Sequence, residues 1–180
     1  FHIEKTADVV VDSLTAEISG IPSTMELTTG LILAQKTYKL LFRPTYAALP
    51  SAADSASAEA LRCEASVNIP GIVRSHTEDM VTGPGILQIA IYTHYDYEEE
   101  GTQRKAAKVF HAGINLYHTL KERKSLQWDE EENGYRQASR SITVEIGSPL
   151  NIDKDGILNG GSTSTGLDQW IPGETFEIEV

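Results

Sequence analysis

A chain of 180 residues with 40% hydrophobic and 23% charged side chains can bury a full core as one domain without covalent staples. Its formal net charge of −11 repels phosphate backbones and anionic lipid, which argues against a nucleic-acid partner. No apolar run is long enough to span a bilayer, and a lone cysteine, Cys63, excludes an intrachain disulfide and reads as a small core residue.

The dominant pattern along the chain is alternation with period two, which gives a strand one buried and one wet face. His2–Val11 reads as a weak strand. Leu14, Ala16 and Ile18 then alternate with polar residues up to an expected turn at Gly20-Ile21-Pro22. Thr24–Thr28 and Thr37–Arg43 are further weak strands, with Thr29-Gly30 as a turn between them. The alanine-rich stretch Ser51–Leu61 fits a short helix or a loop equally well. Leu61, Cys63, Ala65, Val67 and Ile69 form the next alternating set, closed by Pro70-Gly71. After Gly83-Pro84-Gly85, Leu87, Ile89 and Ile91 alternate towards an acidic hairpin tip at Asp96–Glu100, and Phe110, Ala112, Ile114 and Leu116 return on one parity. Leu120–Glu132 is charged, contains Trp128, and is expected to be a long hairpin connection ahead of an Asn133-Gly134 turn. Ile142, Val144 and Ile146 predict another strand. Asp155-Gly156 is a turn, and Asn159–Thr165 a loop crossing to the last strand. Trp170 precedes a turn at Pro172-Gly173, and Phe176, Ile178 and Val180 share a parity that would complete one core face.

Eight or nine strands separated by such turns predict an all-β fold, an antiparallel β-sandwich formed as a single domain over residues 1–180. The sequence opens on Phe1 with no basic–apolar leader, which fits a processed or truncated product of a longer exported protein.

Motifs for chemistry are sparse, and the reading assigns no catalytic, cofactor-binding or metal-binding residue. Asn151-Ile152-Asp153-Lys154-Asp155-Gly156 has the alternate oxygens and turn glycine that open a calcium loop. Asn151 replaces the first aspartate and Ser162 the closing glutamate, so a tight turn is the better reading. His94 and His111 fall on adjacent expected strands and could approach each other, but two imidazoles without further ligands do not make a zinc site. His2, His76 and His118 read as polar-face or loop residues. The acids Asp96–Glu100 and Asp129-Glu130-Glu131 read as solvated tips, and no nucleophile elbow or phosphate loop is present. Tyr92, Tyr95, Tyr97, Tyr117, Trp128 and Tyr135 suit cross-strand packing, or stacking on sugar rings if they share an exposed face.

Several segments carry a resemblance. Ala16-Glu17-Ile18-Ser19-Gly20-Ile21-Pro22-Ser23 resembles an element that opens the second domain of Bacteroidetes fimbrillin-type lipoproteins. Ile86–Tyr95 followed by Lys108–Leu116 looks like that domain's central hairpin. The closing stretch is similar to the ending of fimbrial anchor-like surface lipoproteins of undefined function: Ile142–Ile146, Ile152, Asp155-Gly156, Gly160-Gly161, Leu167-Asp168-Gln169-Trp170 and a terminal Phe176–Val180 strand. The resemblance implies a transthyretin-like, Greek-key sandwich that forms the C-terminal domain of an exported outer-membrane or cell-surface protein. It implies a fimbrial subunit, anchor or adhesion component whose partners are other fimbrial or surface proteins, with no cofactor. The alternative is a carbohydrate-binding accessory module of a glycan-uptake system. The resemblance carries over no catalytic residues, and Cys63 is internal, so the lipobox cysteine is lacking. Asp12-Ser13-Leu14 and Asp54-Ser55-Ala56 resemble the O-glycosylation acceptor of that phylum.

Overall fold

The computed structural model describes residues 1–49, 58–75, 82–129, 134–137, 143–146, 149–157 and 170–178. They form an all-β sandwich of two sheets. The four-stranded sheet has the order β10-β1-β5-β4, with β1 at His2–Thr6, β4 at Thr45–Ala48, β5 at Ala58–Glu64 and β10 at Leu150–Ile152. The five-stranded sheet has the order β11-β7-β6-β2-β3, with β2 at Val9–Met25, β3 at Ile32–Phe42, β6 at Leu87–Glu99, β7 at Thr102–Ile114 and β11 at Ile171–Ile178. A separate hairpin joins β8, Leu126–Asp129, to β9, Gly134–Gln137.

The winding is of the Greek-key kind. β2 lies between its hairpin partner β3 and β6, which the chain reaches only after crossing to the smaller sheet and back. Among the described residues all pairings between strands are antiparallel except one: β1 runs parallel to β10. The alternation of β6 explains the layering. Ile89 and Ile91 point into the core with Leu14, Ala16, Phe110 and Ala112, opposite Ile3, Leu61, Leu150 and Ile152 of the smaller sheet.

Several expected boundaries move. His2–Val11 is not one strand: the chain turns at Ala7-Asp8, and its halves, β1 and β2, belong to different sheets. Gly20-Ile21-Pro22 is no turn, because β2 runs straight through it. The register against β3 shifts between Ile18 and Ile21 while Gly20 adopts φ +74, a bulge rather than a reversal. A Cβ on Gly20 would stand 2.6 Å from the Gly85 backbone nitrogen, so the close approach of the Pro84-Gly85 loop requires glycine there. Thr24–Thr28 contributes strand only as far as Met25.

β5 ends at Glu64, so Ala65, Val67 and Ile69 extend no strand; Val67 and Ile69 pack instead on a second apolar cluster. That cluster includes Ile18, Ile21, Ile72 and Leu126 and sits beneath a helix, α1, over Leu116–Glu122. The helix corrects the hairpin connection expected from Leu120. Its signal is Asn115, whose side chain caps the His118 N–H at 3.1 Å and accepts from the Ser75 hydroxyl at 3.1 Å. Gly85 (φ +82) supports it from below: its carbonyl accepts from the Tyr117 N–H at 2.9 Å, and a Cβ there would meet the Tyr117 Cβ at 2.8 Å.

Thr143–Ile146 is not assigned to a strand, and Ile142 lies outside the described residues, as do the Asn159–Thr165 loop and most of Ser51–Leu61; Ala58–Leu61 belongs to β5. β11 starts before Pro172-Gly173, which is a bulge on an edge strand rather than a turn. Phe176 is in register with Val109, Ile178 with Ala107 and Thr175 with Phe110. No helix among the described residues is long and apolar enough to cross a membrane.

Candidate functional site

Two features stand out once the sandwich is built. The first is an open cleft of about 1060 Å³ at the end where β5 stops short. Its walls come from both sheets and from α1, and Ile18, Phe42, Leu87, Val67, Leu116 and Val144 make it largely apolar. Arg62 and Glu64 stand on its rim as an exposed ion pair at 2.6 Å. Thr143–Ile146 lies along it, and the Arg123 guanidinium donates to the Glu145 carbonyl at 2.6 Å. Cys63 lines the same cleft and is 1% exposed. Burial pushes its thiol up to about 11, with the Phe1 ammonium pulling weakly the other way, so it stays a neutral core group at pH 7. Half-buried His2 of β1 also lines the cleft.

The second feature is the far end of the β6–β7 hairpin. β2 begins opposite Tyr95, and among the described residues β11 is last paired at Ala107, so the ribbon from Asp96 to Lys105 extends past the described part of both neighbours. Glu100 and Gly101 both have positive φ and close it tightly. Tyr95 and Tyr97 share one face, their rings 6.2 Å apart, and Tyr97 is exposed. Lys108 sits 5.6 Å over the Tyr95 ring, and Arg104, the register partner of Tyr97, pairs with Glu99 at 2.8 Å.

The aromatic set is therefore split. Tyr92 lies on the opposite face of β6 from Tyr95 and Tyr97, Tyr117 is a buried residue of α1, and Trp128 and Tyr135 are register partners in the β8–β9 hairpin. The histidines also stand apart. His94 pairs with Ala107 and His111 with Ala90, four residues or roughly 13 Å apart along the sheet, so the expected approach does not occur. His94 instead meets the Asp12 carboxylate at 2.7 Å, beside the bulge that shifts β2 between Val11 and Ser13. His118 is buried edge-on to Tyr117, and His76 lies outside the described residues.

The calcium-like segment is a turn. One Asp153 carboxylate oxygen accepts from the Asp155 and Gly156 N–H groups at 2.7 and 2.8 Å, and Ile152 bridges Ile157 across the reversal. The buried Lys108 ammonium holds this turn to the sheet through the Lys154 carbonyl at 2.6 Å. Sequence reasoning missed that lysine because it occupies an inward row otherwise filled by Phe110 and Ala112. Of the two glycosylation-like motifs, Ser13 is exposed and Asp54-Ser55-Ala56 lies outside the described residues. Comparison of the chain with protein-family models, with curated proteins and with solved structures finds no match to any of them.

Proposed function

We propose that this chain is a non-catalytic, exported surface protein of the fimbrial subunit or anchor kind, working through strand pairing rather than turnover. The observation that supports the reading is the place of β11. Among the described strands it is held by β7 alone, at the edge of the larger sheet, and its ladder is broken by a bulge between Pro172 and Thr175. An edge strand offers a row of backbone groups to a partner and costs only one ladder to withdraw. The motifs from Ile142 to Trp170 that resemble fimbrillin-type lipoproteins point the same way.

Antibody labelling of intact source cells tests the location: surface label, enriched in the material released by shearing, is expected, and exclusive recovery from the cytosol overturns the reading. Deleting Thr175–Val180 separates subunit from passive lipoprotein. A truncated chain that stays folded and captures a peptide of that segment is a strand acceptor, whereas one that unfolds uses β11 as an integral part of its core.

A carbohydrate-binding module is the second reading, favoured by exposed Tyr97 beside Tyr95 and Arg104 on the projecting ribbon. Glycan titration with a Tyr97→Ala control distinguishes it.

A further inference from the structure

The inner face of the β6–β7 hairpin runs out from under the sandwich. Along it Ile91 is in register with Phe110, Thr93 with Lys108, Tyr95 with Ala106, Tyr97 with Arg104 and Glu99 with Thr102. The first pair lies in the core, and the second is buried where Lys108 reaches the Lys154 carbonyl. Tyr95 is then half-buried and Tyr97 exposed, so the core parity ends in two tyrosines on a ledge past the described part of β2 and β11. The Lys108 ammonium lies 5.6 Å from the centre of the Tyr95 ring, and the Tyr97 ring stands 6.2 Å from that ring at a tilt of 49°. At that angle the two rings form a shallow trough rather than a stack. The Arg104–Glu99 pair at 2.8 Å, both side chains exposed, sets guanidinium donors and a carboxylate acceptor beside Tyr97 with no net charge. Around them Asp96, Glu98 and Glu100 outnumber Lys105.

From this juxtaposition we infer that the ribbon binds a neutral, linear glycan lying along β6, with successive sugar rings over Tyr97 and Tyr95. A pyranose presents an apolar C–H face to an aromatic ring and hydroxyls at its rim, which suit the Arg104–Glu99 pair. The surplus of acids repels uronic or sulfated chains. With the net charge of −11 it also repels single-stranded nucleic acid, the other polymer that stacks on tyrosines. Glu99 is already paired with Thr102, so only Glu100 and Gly101 close the hairpin and no loop walls the ledge off. A ledge open along its length receives an internal stretch of chain rather than a chain end. The inference rests on the carbohydrate-binding reading of this ribbon and adds the class of glycan.

The test is isothermal titration of the 180-residue chain with cellohexaose, laminarihexaose, xylohexaose and mannohexaose, their mono- and disaccharides, polygalacturonate and a thymidine oligonucleotide. Binding to at least one hexasaccharide is expected, with affinity rising roughly tenfold from its monosaccharide to its disaccharide as the second ring is engaged. Tyr97→Ala should weaken that binding roughly tenfold, and Tyr97→Phe should preserve it, because the ring and not the hydroxyl makes the contact. A thermal melt of each variant checks that the fold is intact. Binding that Tyr97→Ala leaves unchanged overturns the ribbon site while a carbohydrate module elsewhere on the chain still stands. A monosaccharide bound as tightly as the hexasaccharide, or tighter binding of polygalacturonate or the oligonucleotide, overturns the class of ligand. No binding to any of the four hexasaccharides overturns the inference and the carbohydrate reading together, and leaves surface labelling of cells as the separate test of the fimbrial reading.

Discussion

Replacing Trp170 probes whether the crossing into β11 is pinned by packing. The ring is 3% exposed, lies in the cluster between the sheets and meets the Phe1 ring edge-on at 5.2 Å. Its indole N–H is buried without a hydrogen-bond partner among the described residues. Trp170→Ala removes the transfer energy and leaves a cavity, about 3–5 kcal/mol for such a residue, and forfeits an aromatic pair of about 1 kcal/mol. Removing the orphaned donor offsets about 1–3 kcal/mol, leaving a net loss of about 3 kcal/mol. Trp170→Phe keeps a ring against Phe1 and discards the orphaned N–H, so it should cost about 1 kcal/mol or less. Urea unfolding followed by far-ultraviolet circular dichroism reads both without relying on the fluorophore being removed. With a slope of about 2 kcal/mol/M, the alanine variant should lose about 1.5 M in midpoint. An alanine loss below about 0.5 kcal/mol, or a phenylalanine variant as unstable as alanine, refutes the packing argument.

Cys63 should resist thiol reagents in the folded chain at pH 8 and react once the chain is unfolded in urea. Its folded value of about 11 lies above the ordinary 9.0, so the buried neutral thiol contributes stability that is fully present below pH 9 and is lost as pH rises through 11. Cys63→Ala should flatten that alkaline fall, and an unchanged stability–pH curve between the two proteins counts against it. Gly85→Ala should destabilise by more than about 2 kcal/mol, since φ +82 and a 2.8 Å approach to Tyr117 leave no room; a neutral effect in thermal melts would show that α1 is not seated as described. Asp153→Ala should cost about 1–2 kcal/mol by freeing the Asp155 and Gly156 N–H groups, with calcium leaving the wild-type melting temperature unchanged; a calcium-induced rise would mark the turn as a metal loop.

Period-two alternation by itself determined the class of fold. Leu14–Ile18, Leu87–Ile91 and Phe110–Ile114 each carry one apolar parity, and an isolated strand has no way to bury it except against a second sheet. The Asp153–Gly156 turn and the acidic hairpin tip were legible for a similar reason, because short-range backbone chemistry decides them. What only the tertiary structure decided lies where a local signal is overruled from a distance. Gly20 and Pro172 look like turn residues, yet each sits at a bulge inside a strand, since neighbouring strands hold the chain extended on both sides. Phe176 and Ile178 alternate cleanly, but alternation fixes only which residues share a face; their pairing with Val109 and Ala107 is a matter of register, which the tertiary structure sets. α1 is seven residues long, too short to show a helical period, and its existence depends on Asn115, Ser75 and the Gly85 carbonyl converging from separate parts of the chain. The cleft belongs to the same category, because strand order, which no local pattern encodes, brings its residues together.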